Sequence, residues 1–291
     1  MIDSKKDQAP LQEGNMRYYR SLLEGIGNTP LVQLKRIASD VPPLVLAKVE
    51  FFNPGGSVKD RIGPAMIEYC EQQGLLRPGG TIVEPTSGNT GHGLAIAAAI
   101  KGYHCIFVMT DKASEEKRSL LRAYGAEVVI CPSSVTHDSP EYYKNVAYRL
   151  AKEIPGACCP DQYSNPANPA AHYASTGPEI WRDTAGKITA FVAGIGTGGT
   201  ISGTSRYLKE QNPALKIIGA DPPGSVYSGD TPSRIRSRVL AWICSPVTTT
   251  PQSLTKSSGS TIVAHSTGRG DWPVKKAFSL VVRVVLPWRL P

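Results

Sequence analysis

The sequence predicts an α/β protein of two open domains with mostly parallel sheets. β-Rich runs at 44–52, 81–86, 105–110 and 127–131 alternate with segments of helical period, the pattern of helices flanking a parallel sheet. The chain has 291 residues, enough for two cores rather than one. Its 28 Gly and 24 Pro indicate short elements joined by tight turns.

After a polar lead over 1–17, a helical turn is expected around Tyr19–Glu24, then a short strand in GNTPLVQL, punctuated by Gly27 and Pro30. LVLAKVEFF (44–52) is a strand closed by Asn53-Pro54-Gly55-Gly56. Ser57 is placed to cap a helix opening near Lys59, with Ile62, Met66, Ile67 and Cys70 at helical spacing. TIVEPT (81–86) leads through a Gly-rich turn into the apolar helix GLAIAAAIKG; CIFVMT (105–110), the charged helix SEEKRSLLRAYG and the strand EVVIC follow. A second set comprises a helix over 140–153, an Asn/Pro-rich loop DQYSNPANPAAH, a helix from about Tyr173, the strand ITAFVAGIG (188–196), a helix in GTGGTISGTSRYLKEQ and the buried strand KIIGADP (216–222). Beyond Gly229 this rhythm stops.

Charge divides the chain at the same place. Residues 1–232 hold 23 Lys+Arg and 23 Asp+Glu, whereas Ser233–Pro291 hold nine basic residues, one acid (Asp271) and 15 Ser+Thr, hence the whole net +8. Because the basicity is confined to this tail and lacks interleaved aromatics, it does not indicate a nucleic-acid partner. The N-terminus has no apolar targeting core and no stretch approaches 18 apolar residues, so a cytoplasmic protein without a membrane partner is expected. The six cysteines form no CxxC pair; buried thiols are expected rather than disulfides, and no metal site.

Three turn-rich segments follow strands, where open α/β folds place ligands. In NPGGSVKDR (53–61), Lys59 opens a helix, where the dipole disfavours a cation. A solvated charge is the plain alternative; an amine of depressed pKa, able to capture a carbonyl, is the chemical one. TSGNTG (86–91) suits a carboxylate or phosphate, since helix-terminal N–H groups lack intrahelical partners; an ordinary capped turn is its alternative. GIGTGGT (194–200) fits a dinucleotide pattern at Gly194, Gly196 and Gly199, but equally suits a monophosphate cup, and Asp221 lies late for a ribose contact. Together the loops favour one phosphate-bearing cofactor that reacts with an amine.

In this order, GNTPLV, NPGGSVKDR, TSGNTG, DQYSNPANPAAH and GTGGT resemble the fold-type II pyridoxal phosphate enzymes, the cystathionine β-synthase and cysteine synthase family, over about residues 22–232. The resemblance implies a tryptophan synthase β-like fold with pyridoxal 5′-phosphate as cofactor. Lys59 falls on the Schiff-base lysine and Asn89 on the residue beside the cofactor's 3′-oxygen. Gly196, Thr197, Gly198, Gly199 and Thr200 fall on the phosphate loop. Thr86, Ser87, Gly88, Asn89, Thr90 and Gln162 fall on the substrate-carboxylate contacts. SEEKRSLLRAYGAEVV, DSPEYY and GADPPGSVYSG lean towards the cystathionine β-synthase branch. Amino-acid and thiol substrates and, if the enzyme is intact, a homodimer are implied, with the serine leaving group and the thiol acceptor left open.

The resemblance implies domains at 1–165, with residues near 20–50 packing on the larger domain, and at 166–232. The second is incomplete, because 233–291 depart from the family. There an EGIG-type segment and a GGSSG-like loop are missing from the written frame. A shifted frame permits TFEGIG at Ile235–Ala241, DEVVRV at Thr255–Thr261, LAREE at Trp272–Lys276 and GGSSG or GGSCG at Leu280–Val285. An aberrant, poorly ordered tail is therefore expected, with short strands possible in 278–286.

Overall fold

A computed structural model describes residues 11–13, 16–36, 38–39, 42–221, 261–265 and 281–286. In chain order the elements are β1 (Leu11–Glu13), β2 (Met16–Tyr18), β3 (Leu31–Gln33), β4 (Leu44–Val49), α1 (Ile62–Gln72), β5 (Thr81–Pro85), α2 (Asn89–Lys101), β6 (His104–Thr110), α3 (Glu115–Ala123), β7 (Glu127–Cys131) and α4 (Tyr143–Glu153). There follow β8 (Ala157–Cys158), α5 (Ala167–Ala174), α6 (Thr176–Asp183), β9 (Ala190–Gly194), α7 (Gly199–Gln211), β10 (Lys216–Asp221), β11 (Thr261–His265) and β12 (Val281–Leu286). They form two compact units, one of Met1–Ile26 with Asn53–Ala167 and one of Gly27–Phe52 with Asn168–Pro291.

The first unit is built on a four-stranded sheet of order β7-β6-β5-β8, parallel at every pairing. The centre of β5 is buried (Ile82, Val83, Glu84), as are Phe107, Val108 and Met109 of β6. Such continuous burial marks a parallel sheet covered on both faces. Leu94 to Ala98 of α2 are all buried, so this helix is interior and needs no polar face. It can lie close to α1 because both helices are glycine where they meet: a Cβ on Gly63 would strike the Gly93 backbone.

In the second unit the sheet order is β11-β10-β9-β12-β4-β3. β9, β10 and β11 run parallel, whereas β12 lies antiparallel to both β9 and β4, and β3 antiparallel to β4. Ile180, Phe191, Ile201, Leu208 and Ile217 anchor its core. A buried polar chain ties the GNTPLV segment to it. The Lys48 ammonium lies 2.7 Å from the Glu179 carboxylate and donates to the Thr29 carbonyl at 2.8 Å, while the Thr29 hydroxyl donates to Glu50 at 2.6 Å. Two of the strands belong to the charge-anomalous tail. Otherwise the expectation for 233–291 lies outside the described residues.

Three local expectations are corrected. The turn near Tyr19–Glu24 is a 3-10 turn over Leu22–Gly25, capped by the Ser21 hydroxyl. The second half of DQYSNPANPAAH is helix α5, not loop. Asn165 accepts the Ala167 N–H at 2.9 Å, and Pro169 sits in the first turn, where its missing N–H costs nothing. The helix expected from Tyr173 is therefore a pair, α5 and α6. Among the described residues no helix is long and apolar enough to cross a membrane, and no group of three or more His, Cys, Asp or Glu could hold a metal ion.

Candidate active site

Lys59 lies in a 3-10 turn, Val58–Arg61, that runs into α1. The turn is fixed by its own sequence. Ser57 accepts the Lys59 N–H at 3.2 Å, Asp60 accepts the Gly55 N–H at 2.7 Å, and Asn53 donates to the Ser57 carbonyl at 3.1 Å. Ser57 and Asp60 form a capping box, so the cap expected at Ser57 is present. Part of the Lys59 surface is accessible, yet the surrounding protein strips enough water from its ammonium to lower its pKa to about 8. Desolvation is the cause.

The Lys59 main chain lies against α2, since a Cβ on Gly93 would come within 2.5 Å of the Lys59 carbonyl oxygen. That approach brings the lysine turn and the TSGNTG loop, which opens α2, onto neighbouring backbone. Within the loop the Thr86 hydroxyl oxygen accepts the Gly88 and Gly91 N–H groups at 3.0 and 3.3 Å. Gly88 has φ +135°, a conformation reserved for glycine. Asn89 is the first residue of α2. The Thr90 hydroxyl donates to the Gln162 side-chain carbonyl at 2.6 Å. Thr86, Thr90 and Gln162 are all buried, so three of the expected carboxylate contacts lie in the same unit as the Lys59 turn.

Gln162 is held from beneath. The buried Glu84 carboxylate accepts the backbone N–H groups of Asp161 at 2.8 Å and Gln162 at 3.1 Å, one on each oxygen. Burial, with Asp161 nearby, pushes the Glu84 pKa up to about 8 against the opposing pull of those N–H donors. Asp161 has φ +50°, and its side chain accepts from Tyr148, Ser164 and the Tyr163 N–H. Lys117 of α3 donates to the Ser87 carbonyl at 3.2 Å and lies over Gly88, adding a cation beside the TSGNTG loop. Neither Glu84 nor Lys117 is signalled by the sequence, since each acts across elements distant in the chain.

In the second unit, β9 ends at Gly194 and α7 begins at Gly199, with Gly196, Thr197 and Gly198 between them. No side chain caps α7, so its first N–H groups and dipole face the loop. A Cβ on Gly196 would meet nothing within 4 Å, and Gly198 has φ +85°. This is a cradle with room for an anion. Asn168 donates to the Thr197 hydroxyl at 3.0 Å. His172 Nε2 lies 3.1 Å from the Thr200 hydroxyl, and its Nδ1 is 2.9 Å from that of Thr176. Gly199 is glycine for a reason other than anion access, because a Cβ there would fall on the Asn168 side chain. Within the second unit the cradle therefore fits an anionic phosphate, and within the first Lys59 offers an amine able to react with a carbonyl.

Comparison with known proteins gives the same chemistry. The family model described as "Pyridoxal-phosphate dependent enzyme" matches residues 22–270. The chain is 53% identical over 215 residues to a protein named cystathionine beta-synthase from Apis mellifera, covering 73% of this chain and 43% of that protein. It is 48% identical over 212 residues to cysteine synthase B of Pseudomonas aeruginosa, covering 72% and 70%. The solved structure of an O-acetylserine dependent cystathionine beta-synthase from Helicobacter pylori superposes with a TM-score of 0.75 at 36% identity, covering 86% of this chain and 80% of that one. The chain spans about two fifths of the length of the first curated relatives it matches. It belongs to the pyridoxal-phosphate dependent enzymes of fold type II, in the cystathionine β-synthase and cysteine synthase family, and its cofactor is pyridoxal phosphate.

Proposed function

We propose that the chain is a β-replacement catalyst of the cystathionine β-synthase type, joining L-serine and homocysteine to give cystathionine and water. The observation that carries this reading is the presence in one unit of Lys59, an amine whose pKa lies near 8, and the buried Thr86, Thr90 and Gln162, with the Lys59 main chain packed against the helix whose first turn holds Thr90. Lys59 is the point of cofactor attachment, and the Gly196–Thr200 cradle holds the phosphate, with Asn89 beside the ring. The carboxylate of the amino acid is received by Thr86, Ser87, Gly88, Asn89 and Thr90 together with Gln162, which directs its α-hydrogen towards Lys59. An amine of pKa near 8 is balanced between taking that proton and returning it. Pyridoxal phosphate, when bound, supplies the sink for the electron pair left at the α-carbon. The hydroxyl then leaves from the β-carbon and the thiol of the acceptor adds there.

A second reading is favoured by the likeness to cysteine synthase B: an activated serine, O-acetylserine, with sulfide as acceptor. The name of the Helicobacter pylori protein joins the acetylated donor to the cystathionine product, so donor and acceptor require separate assays. The protein is read as cytoplasmic and, if intact, as a homodimer. Its turnover is impaired, because residues 233–291 replace the EGIG-type and GGSSG-like segments of the family with the frame-shifted sequence. A non-catalytic protein that still takes up cofactor is the limiting case. The test is a visible-absorbance scan of the cofactor-loaded chain, with the frame restored over 233–291, before and after L-serine. A shifted band supports the reading; an unchanged band with cofactor bound and with either serine donor overturns it.

A further inference from the structure

Cys70, on α1, and Cys158, on β8, are both buried, and their sulfur atoms lie 3.0 Å apart. That is closer than two unbonded sulfurs pack, so one thiol donates to the other. We propose that Cys70 and Cys158 are an oxidisable pair, a modification site at which a peroxide closes a disulfide between α1 and β8.

The sulfurs need to approach by only about 1 Å to reach a bond length of about 2.05 Å. The thiols also have unequal characters: the hydrogen bond between them lowers the pKa of Cys158 against its burial, while that of Cys70 is pushed up. Cys158, which lies on the short edge strand β8, is the nucleophile, and Cys70, on α1, the resolving thiol. Access comes from the topology. β8 is a two-residue strand at the edge of its sheet, paired among the described residues only to β5, through Thr81 with Ala157 and Ile82 with Cys158. Short edge elements open at low cost, which admits a molecule as small as hydrogen peroxide.

In the first step the Cys158 thiolate attacks one peroxide oxygen, the O–O bond breaks, and hydroxide leaves and takes up the thiol proton as water. Cys158 is left as the sulfenic acid. The Cys70 sulfur then attacks the Cys158 sulfur; the S–S bond forms, the S–O bond breaks, and the departing hydroxide carries off the Cys70 proton as a second water. Two thiols and one peroxide thus give one disulfide and two waters. The bridge fastens α1, which follows the Lys59 turn, to β8, which leads into the Asp161–Gln162 segment.

The experiment treats the purified 291-residue chain with hydrogen peroxide, alkylates it in denaturant, and maps proteolytic peptides by mass spectrometry without reduction. The expected result is a peptide pair linking Cys70 to Cys158, removed by dithiothreitol, with titratable thiols falling from six to four. In Cys70→Ser and in Cys70→Ala, Cys158 should stop at the sulfenic acid, trapped by dimedone. The proposal is overturned if wild-type chain shows no such pair while other cysteines are oxidised, or if Cys158 links to Cys159 or Cys105 instead.

Discussion

Thr90 and Gln162, 72 positions apart in the chain, share a 2.6 Å hydrogen bond in a buried setting. The bond pins the first turn of α2 to the segment after β8 and leaves both side chains within the group read as the carboxylate site. Replacing Gln162 by Ala removes the acceptor and a contact to a charged ligand, a loss of about 1.5–3 kcal/mol. Binding of L-serine, followed by the change in cofactor absorbance, should weaken roughly 10- to 100-fold. Cofactor affinity should change little.

Lys59→Ala should abolish covalent attachment of the cofactor, so the visible band of the loaded chain disappears and borohydride reduction leaves no pyridoxyl group on the 53–61 peptide. For the wild-type chain, the free amine is the reactive form. Because burial lowers the Lys59 pKa to about 8, the rate of attachment to apo-chain should rise with pH and level off above about 8. A rise continuing to pH 10, as for an ordinary lysine, would contradict the assignment.

Glu84 should make stability depend on pH in an unusual direction. Its pKa is raised from 4.5 to about 8 in the folded chain, so the folded state binds more protons than the unfolded state between those values. Stability from this group is present at low pH and declines as pH rises through that window, by about 3–5 kcal/mol in all. Glu84→Gln cannot titrate. The difference in unfolding free energy between wild type and Glu84→Gln, measured by urea denaturation, should therefore shift in favour of the variant from pH 5 to pH 8. A difference independent of pH would refute the shift.

Gly196 and Gly199 should respond differently to a methyl group. At Gly196 a Cβ meets nothing within 4 Å, so Gly196→Ala should leave the apo-chain within about 1 kcal/mol of wild type yet weaken cofactor binding at least tenfold. At Gly199 a Cβ strikes Asn168, which orients Thr197. Gly199→Ala should destabilise the apo-chain by about 1–3 kcal/mol as well. Thermal melts and cofactor titrations separate the two effects.

What was legible in the sequence was local. Ser57 capping the Lys59 turn, the glycines of TSGNTG and the strand-to-helix turn before α7 are written in adjacent residues, and each occurs where the sequence places it. What was illegible depends on contacts across the fold. Glu84 reads as one acid in an apolar strand, and only the folded chain brings its oxygens under the Asp161 and Gln162 amides. Asn168 and His172 lie in a segment whose Asn and Pro content suggests a loop. Asn165 turns that content into a helix start, which aligns both residues with Thr197 and Thr200. The sequence left Lys59 open between a solvated charge and an amine of depressed pKa, since desolvation depends on packing that no local pattern records.

The central claim is tested most directly by cystathionine formation. The chain as written and a version with the shifted frame restored over 233–291 are loaded with pyridoxal phosphate and incubated with L-serine and homocysteine, and cystathionine is quantified by mass spectrometry. The restored chain should form cystathionine with turnover, and the chain as written little or none. If a soluble, cofactor-loaded restored chain yields neither cystathionine from either serine donor nor cysteine from O-acetylserine and sulfide, the β-replacement reading is contradicted. Robust turnover by the chain as written would contradict its impairment.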